Sequence, residues 1–210
     1  MAAADPTTFE HDGSTNRGRY RELTGGVAGL RFAALSDAER ANVDSEQLAA
    51  YDEALELLRS NGAIVEQLDV PKPFADMKDA TFVIVTAEAY HHHHLLMDDP
   101  DATIDRHVRG RIRPGADISG PAYVAATLER AADQLAFAEV FHGYDALLTP
   151  TTPAPPGPVS ETDEGSTPAD FTRAGNYLAM CGVSLPSGQT SGGLPTSLQI
   201  LCRGGEETLS

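Results

Sequence analysis

The sequence predicts an α/β fold. Three observations carry that prediction. A strand, a helix and a second strand follow one another between Gly29 and Val70, the pattern of a βαβ unit with parallel strands. A long helix opened by Pro121 runs into a short apolar strand, Ala146–Thr149. Two further strand-like runs, Val183–Leu185 and Thr196–Cys202, flank Gly192-Gly193, which reads as a hairpin turn.

In chain order, residues 1–24 are polar and aperiodic, an extended lead-in, and residues 25–210 form the domain. Gly29–Leu35 is apolar and bounded by glycines, a strand. Asp44 caps the next helix, with Gln47 placed to reach back and Gly62 at its left-handed stop. Leu48, Tyr51, Leu55 and Leu58 recur at helical spacing along it. Ile64–Val70 is a strand with Ile64, Leu68 and Val70 on one face, ended by Pro71. Phe74–Met97 is helical, and a shorter helix is expected around Ala102–Arg111. The helix from Pro121 carries Val124, Leu128, Ala131, Leu135, Ala138 and Phe141 on one apolar stripe, expected to be buried, and Gly143 closes it. The prolines and acidic residues of Pro150–Pro168 forbid a regular element and predict a surface excursion. Asp170–Met180 returns to helix. These strands read as too few and too scattered to close a compact sheet.

The 15 basic and 31 acidic side chains leave a net charge of −16, and only Lys72 and Lys78 are lysines. A field of that sign repels phosphate backbones, which speaks against direct nucleic-acid binding. Scarce lysine, no tryptophan and abundant acid match a salt-adapted surface, where molar salt screens the repulsion. Cys181 and Cys202 are too few for a disulfide framework or a zinc site, so a reducing, cytoplasmic setting is expected. The first residues lack the basic flank and apolar stretch of a signal peptide, and Phe82–Val85 is far too short to span a bilayer.

Candidate chemistry in the residues themselves is thin. Of the four histidines His91–His94, only His91 and His94 share a helix face, with Glu88 one turn earlier. Against a metal half-site stands the plainer reading of a partly exposed helix face that tolerates histidine, so no metal or cofactor is assigned. Ser191-Gly192-Gly193 lacks the nucleophile-elbow spacing and reads as a turn. His107 and His142 stand without a triad partner pattern.

Three stretches together resemble the amidase signature family. The first runs from Gly29-Leu30-Arg31-Phe32 through Val43-Asp44 and Asn61-Gly62-Ala63 to Pro71. The second holds Glu88-Ala89-Tyr90, the segment 109–115, Tyr123 and Tyr144-Asp145-Ala146-Leu147-Leu148-Thr149-Pro150-Thr151. The third holds Asn176, Cys181-Gly182-Val183-Ser184-Leu185-Pro186-Ser187-Gly188 and Gly193-Leu194-Pro195-Thr196-Ser197-Leu198-Gln199-Ile200. The resemblance implies an amide hydrolase or amidotransferase A-like subunit with a small-molecule amide substrate. It also implies a mixed β-sheet flanked by helices, a layered α/β/α fold, of which this chain is the C-terminal part.

In that family a serine nucleophile, a second serine in a cis peptide and a lysine base do the chemistry, within a Gly/Ser-rich segment. This sequence has no adjacent Ser-Ser pair, and Lys72 and Lys78 fall in the wrong segment, so no catalytic residue is assigned. Asp5-Pro6-Thr7 is similar to the downstream edge of that segment, and Glu206–Leu209 to the start of the last helix. Two things follow as expectations: the chain is inactive alone, and a complementing N-terminal half is its possible partner. For substrate binding the resemblance points to Arg111 (or Arg109), Asp170 and Asn176. Arg111 reads equally as a surface charge, and Asp170 as a helix N-cap. A non-catalytic remnant or binding module is the alternative from another class.

Overall fold

Apolar and entered through glycine, the segment after Gly29 forms strand β1 (Arg31–Leu35), buried from Phe32 onward. The computed structural model describes residues 26–162 and 167–204; the lead-in over 1–24 and the helix start at Glu206–Leu209 lie outside the described residues. One helical turn, α1 (Asp37–Arg40), leads to α2 (Ser45–Ser60). The Asp44 carboxylate accepts the N–H groups of Glu46 and Gln47 at 2.9 and 3.4 Å, the expected cap. Gln47 is committed elsewhere: buried, its amide donates to the Ser197 carbonyl at 3.3 Å. Gly62 ends the helix at φ +89°, a conformation that a side chain would strain.

Strand β2 (Ile64–Leu68) pairs parallel with β1 from Arg31↔Ile64 to Leu35↔Leu68, which completes the predicted βαβ unit. Leu68 is buried as expected, but Ile64 is exposed because β2 is a sheet edge. The helix expected over Phe74–Met97 is split into a 3-10 turn (Phe74–Met77) and α3 (Lys78–Asp98). Phe74 and Met77, both buried, anchor the turn. Next comes α4 (Arg106–Ile112), whose cap Asp105 accepts the N–H groups of His107 and Val108. A 3-10 turn (Arg113–Asp117) then presses on α3 so closely that a Cβ on Gly115 would lie 2.3 Å from the Thr86 carbonyl oxygen.

Helix α5 (Gly120–Val140) starts as predicted, with Ser119 Oγ accepting the Ala122 N–H at 3.2 Å and Pro121 in the first turn. Its burial is the reverse of the prediction. Val124, Leu128, Ala131, Leu135 and Ala138 are exposed, and of that stripe only Phe141, just past the helix, is buried. The covered face carries Ala126 and Phe137, about 200° and 220° round the axis from Val124. Arg130 and Gln134 on that side donate to the Tyr177 carbonyl, each at 2.8 Å.

Strand β3 (Ala146–Pro150) is buried throughout, between β1 on one side and β5 on the other. That position explains its unbroken apolar run. The described part of the proline-rich excursion holds only a 3-10 turn (Val159–Glu161). Then follow α6 (Asp170–Tyr177), β4 (Met180–Gln189) and β5 (Pro195–Arg203). The three-residue strand expected at Val183–Leu185 is ten residues long, because its antiparallel pairing with β5 runs from Met180↔Arg203 to Gln189↔Pro195. The hairpin turn is where Gly192-Gly193 placed it, with Gly193 N–H donating to the Thr190 carbonyl at 2.9 Å. The five strands among the described residues form one mixed sheet in the order β2-β1-β3-β5-β4, so they are not scattered.

Candidate functional site

The strand order reverses at β1, which has β2 on one side and β3 on the other, both parallel to it. Open sheets bind ligands outside the carboxyl ends of strands at such a reversal. Only Phe32↔Ala146 and Ala33↔Leu147 pair across β1 and β3 before the strands part. Tyr51 from α2 fills the widening gap. Its hydroxyl accepts the Leu35 N–H at 3.0 Å and donates to the Leu148 carbonyl at 2.9 Å. Burial pushes this phenol well above its ordinary value, so it stays neutral and structural.

A polar layer lies beyond that plug. Glu39 of α1 is buried and accepts the Phe74 N–H at 3.1 Å. Burial raises its carboxyl above the usual range, the Phe74 bond works against this, and the charges of Asp170 and Asp76 add to the rise. Gln199, buried on β5, donates to Thr149 Oγ1 at 3.0 Å and to the Phe171 carbonyl at 3.4 Å. Farther along, hydroxyls pair: Thr151 with Ser184 at 2.6 Å and Ser187 with Thr196 at 3.1 Å. These polar groups are bonded to one another and to backbone, which fixes the carboxyl ends of β1 and β3. Lys72 does not serve this layer as a base. Burial works to lower the Lys72 ammonium, but hydrogen bonds to Asp133 and Glu129 outweigh it and hold the group above its ordinary value, charged.

Asp170, at the start of α6, reaches this layer through its influence on Glu39 and accepts a 2.8 Å bond from Arg173. The helix N-cap is Ala169 and no side chain caps it, so the capping role offered for Asp170 is corrected. Asn176 is exposed six residues later on the same helix, about 240° round the axis, and donates to the Thr172 carbonyl at 3.2 Å. Arg111 is exposed on α4, an element that packs on α3. Arg109 is committed to structure, donating to the Met97 carbonyl at 2.5 Å and the Ala102 carbonyl at 3.0 Å. The four histidines lie exposed on α3, and among the described residues no group of three or more His, Cys, Asp or Glu is arranged to hold a metal ion. No helix among them is long and apolar enough to cross a membrane.

Glu39 and Tyr51 were not read from the sequence as parts of this region. Tyr51 stood out only as a member of an apolar stripe, and nothing around Glu39 marks it. Gln199 sits in the Gly-Leu-Pro-x-x-Leu-Gln run, the one motif that could have flagged it.

The sequence model of the family described as Amidase matches residues 4–209. A glutamyl-tRNA(Gln) amidotransferase A subunit from Geobacter metallireducens is 31% identical over 89% of this chain and 44% of its own length. A solved amidase structure superposes with a TM-score of 0.75 at 25% identity, covering 88% of this chain and 44% of the other. The structure of the corresponding amidotransferase A subunit from Thermotoga maritima gives a TM-score of 0.63 at 26% identity, with 90% and 42% covered. The chain thus spans less than half the length of these relatives, their C-terminal part.

Proposed function

Starting from the chain's membership of the amidase family, we propose that it is the C-terminal part of a hydrolase acting on carboxamide C–N bonds, and that it is inactive alone. The observation that carries this is the family match over residues 4–209 in a sequence without an adjacent Ser-Ser pair. A serine nucleophile needs a base that can take its proton, and Lys72 is held charged between two carboxylates. This part supplies a wall of the acyl site: the polar layer of Glu39, Asp170, Thr149 and Gln199, with Asn176 and Arg111 as outer contacts to the substrate. The complement is the stretch of the relatives that this chain does not span.

A second reading is favoured by the relatives named as A subunits of glutamyl-tRNA(Gln) amidotransferases. In it the amide is glutamine and the assembly includes further subunits. The reducing cytoplasm of a salt-adapted cell is the setting we infer, on two cysteines and a net charge of −16.

One experiment tests these readings. Ammonia release is measured from glutamine and from simple carboxamides, with the chain alone and co-expressed with the missing portion of a relative, at low and at molar potassium chloride. Release is expected only from the pair, with a raised KM in Asp170→Asn or Arg111→Ala and more activity in high salt. No release from any pair sinks the hydrolase reading. Release from carboxamides but not glutamine removes the amidotransferase variant, and lower activity in salt removes the salt-adapted setting.

A further inference from the structure

The only two cysteines of the sequence meet in the sheet. Cys181 on β4 stands directly opposite Cys202 on β5 in the antiparallel ladder, so both side chains leave the same face of the sheet. The register is unbroken from Met180↔Arg203 to Pro186↔Ser197, so the irregularity farther along does not disturb this pair. Both residues are thiols, Cys202 wholly buried and Cys181 half-buried. The Cys181 thiol leans onto β5, where it donates to the Arg203 carbonyl at 3.3 Å and to the Cys202 carbonyl at 3.6 Å. Directly opposed residues carry their Cβ atoms about 4.5–5.5 Å apart, and a disulfide spans about 3.5–4.5 Å. A bridge here needs a side-chain rotation and a strand shift of about 1 Å, which puts it in the strained, readily reduced class.

We propose that Cys181 and Cys202 form a reversible oxidation site, closed to a cross-strand disulfide by a low-molecular-weight disulfide of the glutathione type. Cys181, the thiol with solvent access, reacts first. It loses its proton, its sulfur bonds to one sulfur of the oxidant, the oxidant's S–S bond breaks, and one small thiol leaves with the proton. Cys202 then gives up its proton, and its sulfur attacks Cys181 Sγ and expels the second small thiol. The protein pair loses two electrons and two protons, and the oxidant becomes two thiols. Strain keeps the pair open in a reducing setting, and it closes when small disulfides accumulate. The closed bridge ties the edge strand β4 covalently to β5, whose Arg203 holds the Phe141 and Tyr144 carbonyls at 3.0 and 2.8 Å. The hairpin that carries Ser184, Ser187 and Gln199 is thereby stiffened as one piece.

The full chain is reduced, equilibrated in glutathione buffers of rising oxidised fraction, and read by thiol titration, intact mass and peptide mapping. Both thiols are expected to disappear together, with a mass lower by two hydrogen atoms and one peptide pair joined through Cys181 and Cys202. The melting temperature should rise by about 5 °C, and dithiothreitol should reverse the change. Cys202→Ala should stop at a glutathione adduct on Cys181. Cys181→Ala should react roughly tenfold more slowly than the parent, because the remaining thiol is buried. Thiols that persist in fully oxidised glutathione overturn the proposal. So does an adduct on the parent chain that never resolves, a disulfide formed only between copies, or a bridge that forms only in denaturant.

Discussion

Helix α5 has two faces, and the more apolar one is exposed. Its outer face carries Val124, Leu128, Ala131, Leu135 and Ala138, while the face turned inward mixes Ala126 and Phe137 with Arg130, Asp133 and Gln134. The inner face is held by polar bonds: Arg130 and Gln134 to the Tyr177 carbonyl, and Asp133 to Lys72 and the Tyr177 hydroxyl. The sheet repeats the contrast at its edges, guarded by Glu66 and Arg59 on β2 and bare of charge on β4. Apolar periodicity therefore does not report which face of a helix its own chain covers.

The sharpest way to break that comparison is to make one substitution in both regions. Leu148→Ala on β3, fully buried, should cost about 2–5 kcal/mol, the lost transfer energy plus a cavity. Leu128→Ala on the outer face of α5 should change the stability of the chain by no more than about 0.5 kcal/mol. Denaturant melts of both variants decide it. Comparable losses would mean that the α5 stripe is already covered in the chain by itself.

How far the sequence was legible follows the same division. The Asp44 cap, the Gly62 stop and the Gly193 turn were readable because each is fixed by residues a few positions apart, and the βαβ unit because its strand, helix and strand follow one another directly in the chain. The length of β4 was not, since its pairing with β5 overrides Pro186 and Gly188 inside the strand. The split at Phe74–Met77 was hidden for a similar reason: the turn is held by Glu39, thirty-five residues away. Of the candidate site, Asp170 was read as a substrate contact or a helix N-cap, and the cap position is taken by Ala169. Glu39 and Tyr51 act across gaps that only the folded chain closes, Tyr51 over ninety-seven residues to Leu148.

The Tyr51 bridge gives a second, smaller test. Tyr51→Phe leaves the Leu35 N–H and the Leu148 carbonyl without their buried partner and should cost about 1–3 kcal/mol. The exposed hydroxyl pair of Thr151 and Ser184 is its counterpart near β4. Water replaces that bond when Ser184 becomes alanine, so Ser184→Ala should leave the melting temperature almost unchanged. If both variants lost stability equally, the site layer and the β4 side would not differ in cover.

The smallest effect separates two carboxylates by the sign of their pH dependence. Burial holds Glu39 above its ordinary value near 4.5, with Asp170 and Asp76 adding to it. Its contribution to stability is therefore complete below the unfolded value and is lost as pH rises through the folded one. Glu46, at the exposed start of α2, is held below the same ordinary value by the Ser191 hydroxyl and N–H, and its contribution disappears as pH falls. Glu39→Gln keeps an oxygen for the Phe74 N–H and removes the cost of a buried charge. It should raise the melting temperature at pH 7, with the gain shrinking to nothing below the ordinary carboxylate range. Glu46→Gln should do the opposite, lowering stability at pH 7 and converging on the parent in acid. Melting curves across pH 3–8 check both, and a Glu39→Gln variant less stable than the parent at pH 7 would mean that the ionised carboxylate is itself held in place by a positive group.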